Sequence, residues 1–221
     1  MTPELVIFDC DGVLIDSEII ACAVDAEELN KEGYEISVAD VVRRFAGMPG
    51  VAMRETVESD LGRSLPADYD QRIEDRVLAA YRTQLKAIAG AAETIATLPW
   101  RYCVASSSRP TKLCLGLIET AQFELFYPHV FSTSLVPRGK PAPDIFLYAA
   151  QRMQVTPERC LVVEDSVAGV RAGRAAGMQV VGFTGGSHCD DNHATRLHEH
   201  GAHAVIDRFD DFLPAVERLA A

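Results

Sequence analysis

Four carboxylates stand out because each pair directly follows a short apolar run, where the end of a buried strand is expected. Asp9 and Asp11 follow the first run, and Glu164 and Asp165 follow a later one. Carboxylates gathered at one edge of a sheet raise one another's pKa values unless a cation neutralises them. Oxygen donors without a His and Cys set favour Mg²⁺, which is often shared with a phosphate. The pattern therefore predicts a magnesium site.

Hydroxyl groups and a lysine occupy comparable places in the chain. Ser106, Ser107 and Ser108 follow the second apolar run, and Lys140 lies in a turn-rich segment before a helix. Ligands of open parallel sheets bind beyond the carboxyl ends of the strands, so these groups are expected beside the carboxylates. Three alternatives stay open: Ser106 as a helix cap, Lys140 as a solvated loop residue, and Glu164 as a group that supports the metal ligands from outside.

The elements that position these residues are short apolar runs alternating with helical segments. Helices are predicted from Asp144 to Met153 and from Val167 to Ala176, the second with Ser166 as its N-cap and Gly177 after its end. The apolar runs are typical of buried parallel strands. They occur at Glu4–Phe8, Tyr102–Ala105, Val130–Phe131, Leu161–Val163, Val180–Phe183 and Ala204–Ile206. This alternation predicts an α/β fold with a doubly wound parallel sheet.

The long interval after the first strand predicts a helical unit inserted into the sheet domain. Residues 17–88 show no convincing strand, so they are predicted to form a small α-helical cap domain, with residues 1–16 and 89–221 as the catalytic core. The best helix in this interval carries one apolar stripe, which is interpreted as core. The stripe consists of Tyr69, Ile73, Val77, Tyr81, Leu85 and Ile88. Small residues at the boundaries are expected to permit hinge motion.

Composition limits the classes of function. The chain has 221 residues with 21 basic and 32 acidic side chains, a formal charge of −11, which argues against binding nucleic acid through its phosphates. The sequence shows no signal peptide and no apolar run long enough to span a membrane, and its six cysteines have no CxxC spacing. We therefore expect a cytoplasmic monomer with reduced thiols and with no nucleic-acid or membrane partner.

Four segments of the chain resemble the motifs of the haloacid dehalogenase superfamily of phosphohydrolases. The matching residues are Asp9 to Leu14, Ser106, Lys140 and the pair Glu164-Asp165. The resemblance covers essentially the whole chain and implies a Rossmann-like core with a small helical cap. Within this superfamily, three segments resemble the branch that contains β-phosphoglucomutase and small sugar-phosphate phosphatases. They lie at residues 16–18, 140–144 and 164–169.

The resemblance implies a role for each of these residues. Asp9 would attack phosphorus and form an aspartyl-phosphate, and Asp11 would protonate the leaving group and then activate water. Mg²⁺, the lysine and the serine hydroxyl would relieve the repulsion between a carboxylate and a phosphate dianion. The implied phosphate-binding residues are Ser106, Ser107 and Lys140. The implied metal ligands are Asp9, Asp11 through its backbone carbonyl, Glu164 and Asp165.

The predicted function is that of a Mg²⁺-dependent phosphatase acting on a small phosphorylated metabolite, such as a sugar phosphate or 6-phosphogluconate. A phosphomutase is the first alternative, but mutases of this branch carry a histidine on the first cap helix, where this chain has Ala21. A non-catalytic phosphoacceptor domain is the second alternative, and the long insertion disfavours it. Substrate selectivity is assigned to the cap, at Arg43, Arg44 and Gly47, because the core contacts only phosphate and metal.

Two further patterns are interpreted as structural. Five histidines fall between His188 and His203, with Cys189 beside the first, but their spacings lack the paired arrangement of a zinc site. They are predicted to lie in a surface loop, and a position of this loop at the border of the substrate entrance is the lesser alternative. Gly169 and Gly173 lie one helical turn apart and are predicted to allow close packing of a helix on the sheet rather than dinucleotide binding.

Overall fold

The sheet has the strand order that an open, doubly wound fold requires. The structure, a computed structural model, describes residues 2–48 and 50–220. Its strands are β1 (Leu5–Phe8), β2 (Arg101–Ser106), β3 (Val130–Ser132), β4 (Cys160–Glu164), β5 (Gln179–Phe183) and β6 (Ala204–Ile206). They form one parallel sheet in the order β3-β2-β1-β4-β5-β6. The six predicted strands and the α/β fold are confirmed.

Helices connect the strands and also fill the long segment after β1. That segment forms α1 (Glu18–Lys31), α2 (Val38–Phe45), α3 (Gly50–Leu61) and α4 (Tyr69–Gln84). The helices that follow are α5 (Ala91–Ala96), α6 (Pro110–Glu119), α7 (Phe123–Phe126), α8 (Asp144–Arg152), α9 (Val167–Ala175), α10 (His193–Glu199) and α11 (Phe212–Ala220). The two helices predicted after β3 and after β4 are confirmed as α8 and α9. Within the described residues, none of the helices combines the length and the apolar character that crossing a bilayer requires.

Side chains of the strands alternate between two apolar layers, one on each face of the sheet. In β1, Val6 and Phe8 belong to one core cluster, whereas Leu5 and Ile7 belong to the other, and all four are fully buried. Helices α5, α6 and α11 cover the first face, and α8, α9 and α10 cover the second. Because both faces are covered, the strands read as continuous apolar runs, which made them recognisable in the sequence.

The helices α1 to α4 have an apolar cluster of their own, which includes Leu29 and Val41. Two residues of α4, Val77 and Tyr81, instead join the main core cluster, so this helix connects the inserted helices to the sheet domain. The predicted stripe is confirmed from Tyr69 to Tyr81, where three of its residues are buried.

The two segments that join the inserted helices to the sheet domain run side by side. The backbone N–H of Asp16 donates to the carbonyl of Lys86, and that of Ile88 donates to the carbonyl of Leu14, each at 2.9 Å. The helix α4 ends at Gln84, before this pairing begins. The predicted continuation of the helical stripe to Ile88 is therefore wrong, because tertiary hydrogen bonds replace the helical ones there.

Candidate active site

The carboxyl ends of three central strands meet at one edge of the sheet, and this edge carries the reactive side chains. Asp9 follows β1, Ser106 ends β2 and Glu164 ends β4, so neighbouring strands bring these residues together. Lys140 reaches the same edge from the segment that precedes α8. The structure thus assembles side chains that are far apart in the sequence.

Lys140 is the buried cation of this edge. Its Nζ lies 2.5 Å from Asp9 Oδ1, 2.5 Å from Glu164 Oε1 and 3.1 Å from the carbonyl oxygen of Ala105. Burial opposes its charged form, but the two carboxylates raise the pKa of Lys140 above its ordinary value. These contacts favour the charged form of Lys140, and its burial excludes the alternative of a solvated loop lysine.

Glu164 is fully buried, and partners engage both of its carboxylate oxygens. Oε1 faces the lysine, and Oε2 accepts hydrogen bonds from Ser166 N and Ser166 Oγ at 2.9 Å each. A Cβ at Gly169 would lie 1.7 Å from Glu164 Oε1, so only glycine leaves room for this carboxylate. A Cβ at Gly173 would lie 2.8 Å from Val180 Cγ2. The packing role predicted for both glycines is confirmed, and the first of them also makes space for the site.

Asp165 completes a group of three acidic side chains. Its Oδ2 lies 3.1 Å from His188 Nε2, and a Cβ at Gly12 would lie only 1.9 Å from the same oxygen. Gly12 also has φ +76°, so both the available space and the backbone conformation require glycine there. Oxygen atoms from Asp9, Glu164 and Asp165 all lie within 4.8 Å of one another.

This acidic group is short of positive charge. Burial raises the pKa of Asp9 well above its ordinary value; Lys140 opposes this effect, and the neighbouring carboxylates add to it. Burial also raises the pKa of Glu164, again against the effect of Lys140. A second positive charge would keep Asp9 ionised. Buried oxygen donors that need a cation fit a hard divalent ion such as Mg²⁺.

Asp11 is surrounded by a different set of donors. Oδ1 accepts a hydrogen bond from Ser17 Oγ at 2.7 Å and lies 3.1 Å from Lys112 Nζ, while Oδ2 accepts one from Ser108 Oγ at 2.6 Å. Tyr81 Oη donates to Oδ1 at 3.2 Å from helix α4. Burial works to raise the pKa of Asp11, but Lys112 and the hydroxyl donors bring it well below its ordinary value. The carboxyl is therefore ionised in this arrangement.

Two of these donors, Lys112 and Tyr81, were not predicted from the sequence, whereas Ser108 was expected beside the carboxylates and lies there. A signal existed for Lys112, since α6 begins at Pro110 directly after β2 and its first turn must lie at the active edge of the sheet. Tyr81 offered no such signal, because it is 70 residues from Asp11 in the chain and reads as part of an apolar stripe.

The serines predicted to bind phosphate differ in their surroundings. Ser106 is fully buried, and its Oγ accepts a hydrogen bond from Ser108 N at 3.0 Å. It does not cap the helix that follows, whose N-cap residue is Arg109. Ser107 is exposed, and its carbonyl oxygen accepts a hydrogen bond from Thr133 Oγ1 at 3.2 Å. Of the two, Ser106 is the one whose hydroxyl lies among the acidic residues.

The two arginines assigned to selectivity pair with carboxylates of the inserted helices. Arg43 Nη2 lies 2.5 Å from Asp40 Oδ1, and its side chain is 72% exposed. Arg44 Nη2 lies 2.9 Å from Asp60 Oδ2, and its guanidinium carbon lies 4.8 Å from the ring centre of Phe45. Arg44 is therefore engaged by local partners, whereas Arg43 has the freer side chain.

Gly47 lies where the inserted helices approach the edge of the sheet that carries the acidic side chains. It has φ +73°, and a Cβ there would lie 3.5 Å from Ser166 Cβ, beside Glu164. A second bridge between the two parts joins Arg109 Nη1 to Glu74 Oε2 at 2.7 Å. These contacts place the inserted helices over the edge that carries the site.

The loop after β5 is not the surface loop that the sequence predicts. His188 is only 6% exposed, and His193 Nε2 lies 2.5 Å from the carbonyl oxygen of Asp165. Ser187 donates from both its N–H and its hydroxyl to the carboxylate of Asp16. These contacts draw the loop against the site and correct the prediction. The remaining members of the histidine group, His198, His200 and His203, are exposed as predicted. His198 lies on α10 and not in a loop, which also corrects the prediction.

Comparison with known proteins adds independent information to this geometry. A model of the haloacid dehalogenase-like hydrolase family matches residues 3–177. The 6-phosphogluconate phosphatase of Escherichia coli K12 is 32% identical over 193 residues, which cover 86% of this chain and 84% of that protein. A haloacid dehalogenase-like protein of unknown function from Agrobacterium tumefaciens superposes with a TM-score of 0.91 at 40% identity, over 99% of each chain. A HAD family hydrolase from Deinococcus radiodurans R1, solved with bound phosphate and sodium, superposes with a TM-score of 0.80 at 33% identity, over 98% of this chain and 96% of that one.

Proposed function

This chain belongs to the haloacid dehalogenase-like hydrolase family, and from that premise we propose that it is a Mg²⁺-dependent phosphatase of small phosphorylated metabolites. The observation that carries the proposal is the position of Asp9 against Lys140, beside Glu164 and Asp165. A carboxylate nucleophile, an ammonium group for the phosphoryl oxygens and donors for a metal ion share one buried cluster. The phosphate bound by the Deinococcus radiodurans relative supports phosphate as the recognised group.

Asp9 is the proposed nucleophile. Lys140 fixes one of its oxygens, and we assign the other to the attack on phosphorus. The bond from phosphorus to the leaving oxygen breaks as the bond to the carboxylate forms, which gives an aspartyl-phosphate. Water then attacks phosphorus, restores the carboxylate and releases inorganic phosphate. Lys140 offsets the negative charge of the phosphoryl oxygens in both displacements.

Asp11 is the proposed general acid and base. The donors around it favour the ionised form, which is the form that removes a proton from water in the second displacement. In the first displacement the same carboxyl must give a proton to the leaving oxygen. Substrate binding therefore has to raise the pKa of Asp11, and the contact with Lys112 is the one whose loss would do so.

The residues that would hold Mg²⁺ are Asp9, Asp165, Glu164 and the backbone carbonyl of Asp11. When bound, the ion supplies charge neutralisation for the carboxylates and the phosphoryl group. Glu164 would act in part by holding Lys140, because that lysine and Ser166 engage its oxygens in the structure.

A phosphorylated sugar acid is the substrate class we propose. The Escherichia coli relative is named as a 6-phosphogluconate phosphatase, and Arg43 offers an accessible cation for a second anionic group. Hydrolysis is preferred to phosphoryl transfer within a sugar because Ala21, on α1, has no group that can exchange a proton with a sugar hydroxyl. A non-catalytic phosphoacceptor would have no use for the leaving-group acid that we assign to Asp11.

The test is Asp9→Asn, assayed with 6-phosphogluconate and with a generic phosphomonoester, in Mg²⁺ and in EDTA. The wild-type protein should release one inorganic phosphate per substrate consumed and should lose this activity in EDTA. The variant should lose at least about 1,000-fold in kcat, since it removes the nucleophile at nearly constant volume. Asp75→Asn, the same change at an exposed position on α4, should keep the wild-type rate. Undiminished turnover by Asp9→Asn would refute the nucleophile, and full activity in EDTA would refute the metal.

A further inference from the structure

Nitrogen and sulfur donors form a second cluster beside the acidic one, where His188 contacts Asp165. His188 and Cys189 lie in the loop after β5, and His193 begins α10. One ligand atom from each of the three lies within 4.8 Å of the others. The proposed phosphatase mechanism uses none of these side chains.

Two distances in this cluster approach the spacing of donor atoms around a tetrahedral metal ion. His188 Nε2 lies 3.6 Å from Cys189 Sγ and 3.1 Å from Asp165 Oδ2. Tetrahedral zinc, with bonds of about 2.0–2.1 Å to nitrogen and oxygen and about 2.3 Å to sulfur, separates neighbouring donor atoms by roughly 3.3–3.6 Å. The distance from His188 to Cys189 therefore matches a zinc site, and the distance from His188 to Asp165 is slightly shorter than in one. The ligand atom of His193 lies within 4.8 Å of those of His188 and Cys189.

Each of the two imidazoles has one ring nitrogen that a metal ion can bind by replacing a hydrogen bond. His188 Nδ1 is buried and has no hydrogen-bond partner in the described part of the chain, so the polar contacts of this ring are all made by Nε2. Arg196 donates to His193 Nδ1 at 2.9 Å, which fixes the proton of a neutral His193 on Nε2, the atom that faces the carbonyl of Asp165. The metal would bind Nδ1 of His193 in place of Arg196, while Nε2 keeps its proton on the carbonyl of Asp165. Metal binding would release the thiol proton of Cys189 to solvent. Cys189 and His193 are half-buried, which gives an ion a path to the site.

We propose that His188, Cys189 and His193 form a binding site for a thiophilic divalent metal, best suited to Zn²⁺, with Asp165 Oδ2 as the fourth donor. Thiolate and imidazole donors select zinc over magnesium, so this site is chemically distinct from the oxygen site beside it. Asp165 belongs to both. A zinc ion bound here draws that carboxylate away from the magnesium site, and Zn²⁺ therefore opposes activation by Mg²⁺.

Binding can be tested without any assay of catalysis. Co²⁺ is added to the full-length, Mg²⁺-loaded protein and followed by absorption, because tetrahedral Co²⁺ bound to a thiolate gives intense visible bands and a sulfur-to-metal charge-transfer band. We expect these bands to saturate at one ion per chain and to disappear when Zn²⁺ is added. Cys189→Ser should abolish the charge-transfer band, and His193→Ala should weaken Zn²⁺ binding at least tenfold. Cys114→Ser, which alters another half-buried cysteine, should leave the spectrum unchanged.

These experiments test the metal site and the phosphatase function separately. Metal binding does not depend on the proposed phosphatase function, whereas the expected inhibition by Zn²⁺ rests on it. Absence of the charge-transfer band in the wild-type protein, or its persistence in Cys189→Ser, would overturn the site and leave the three side chains as hydrogen-bonded support for Asp165. If the site exists, Zn²⁺ should inhibit phosphate release, excess Mg²⁺ should relieve the inhibition, and Cys189→Ser should need at least tenfold more Zn²⁺. Inhibition that Mg²⁺ does not relieve would overturn the sharing of Asp165. A protein that binds Co²⁺ as expected but hydrolyses no phosphomonoester would refute the phosphatase alone.

Discussion

Four side chains from three parts of the chain converge on the carboxylate of Asp11. Ser17 precedes α1, and Tyr81 lies on α4. Ser108 lies just before α6, and Lys112 lies in the first turn of that helix. The lysine carries the only full positive charge among these four donors. It is therefore the residue that we expect to set the protonation state of the proposed acid and base.

Lys112→Met should move the acid limb of dephosphorylation to higher pH. Lys112 lowers the pKa of Asp11, so its removal raises that pKa, and the ionised form that activates water is then lost at a higher pH. A shift of roughly one to three pH units is expected for loss of a close opposite charge. The measurement is rapid-quench hydrolysis of the phospho-enzyme across the acid range. Lys112→Arg keeps the charge and should keep the wild-type limb, whereas an unchanged limb in the Met variant would show that other groups control Asp11.

Single residues of the site were predictable where chain order alone fixes their place. Asp9, Ser106 and Glu164 directly follow or end strands, so a parallel sheet forces them to one edge whatever the details of packing. Glu164 lies there with both oxygens already engaged, which spacing could not reveal. The burial of His188 was missed because it depends on a contact with Asp165, and a run of histidines carries no information about such a contact.

Among the helices, α1 carries a carboxyl group, that of Asp25, in a position where burial disfavours its charge. Asp25 Oδ1 is buried, and it has no hydrogen-bond partner among the described residues. Burial, with a contribution from the negative charge of Glu18, raises the pKa of Asp25 to about 7. The folded protein therefore holds this proton at pH values where the unfolded chain has already released it. Stability contributed by the protonated form is lost as pH rises from about 4 to 7.

Asp25→Asn should consequently stabilise the protein at high pH and have little effect at low pH. The amide mimics the protonated carboxyl and never carries the buried charge. We expect a gain of up to about 4 kcal/mol in the free energy of unfolding above pH 7, and almost none near pH 4, by linkage. Urea unfolding at several pH values measures this. Asp75→Asn on α4 controls for the loss of one negative charge, and a gain that is independent of pH would contradict the raised pKa.

Elements were predicted well where a local pattern and the tertiary environment agree. The strands lie between two covered faces, so their apolar runs survive as a signal, and α9 combines a Ser166 cap with a terminal glycine. The end of α4 was mispredicted because Ile88 keeps the helical spacing of the stripe while its backbone pairs with Leu14. Periodicity cannot register a competing partner that lies more than seventy residues away.

For the whole molecule, selectivity should depend on the inserted helices and the chemical step on the sheet. Arg43→Ala should lower kcat/KM for 6-phosphogluconate by about 10- to 100-fold, because it removes a charge-assisted contact to the second anionic group. Hydrolysis of a small generic phosphomonoester should hardly change. Arg44→Ala should have the smaller effect of the two, since Asp60 and Phe45 already engage that guanidinium. Equal losses on both substrates, or none on either, would place the selectivity elsewhere.

The paired segments at residues 14–16 and 86–88 have a consequence for how such a protein can diversify. The chain leaves the sheet domain and returns to it at neighbouring points, held by two backbone hydrogen bonds. The segment between these two points is an insertion, and the pairing of the strands does not constrain its length or its fold. An insertion of different length or fold could occupy the same junction without changing the order of the strands. The proposed selectivity residues and the proposed chemical residues lie on opposite sides of this junction, so this topology would allow one set to change while the other is kept.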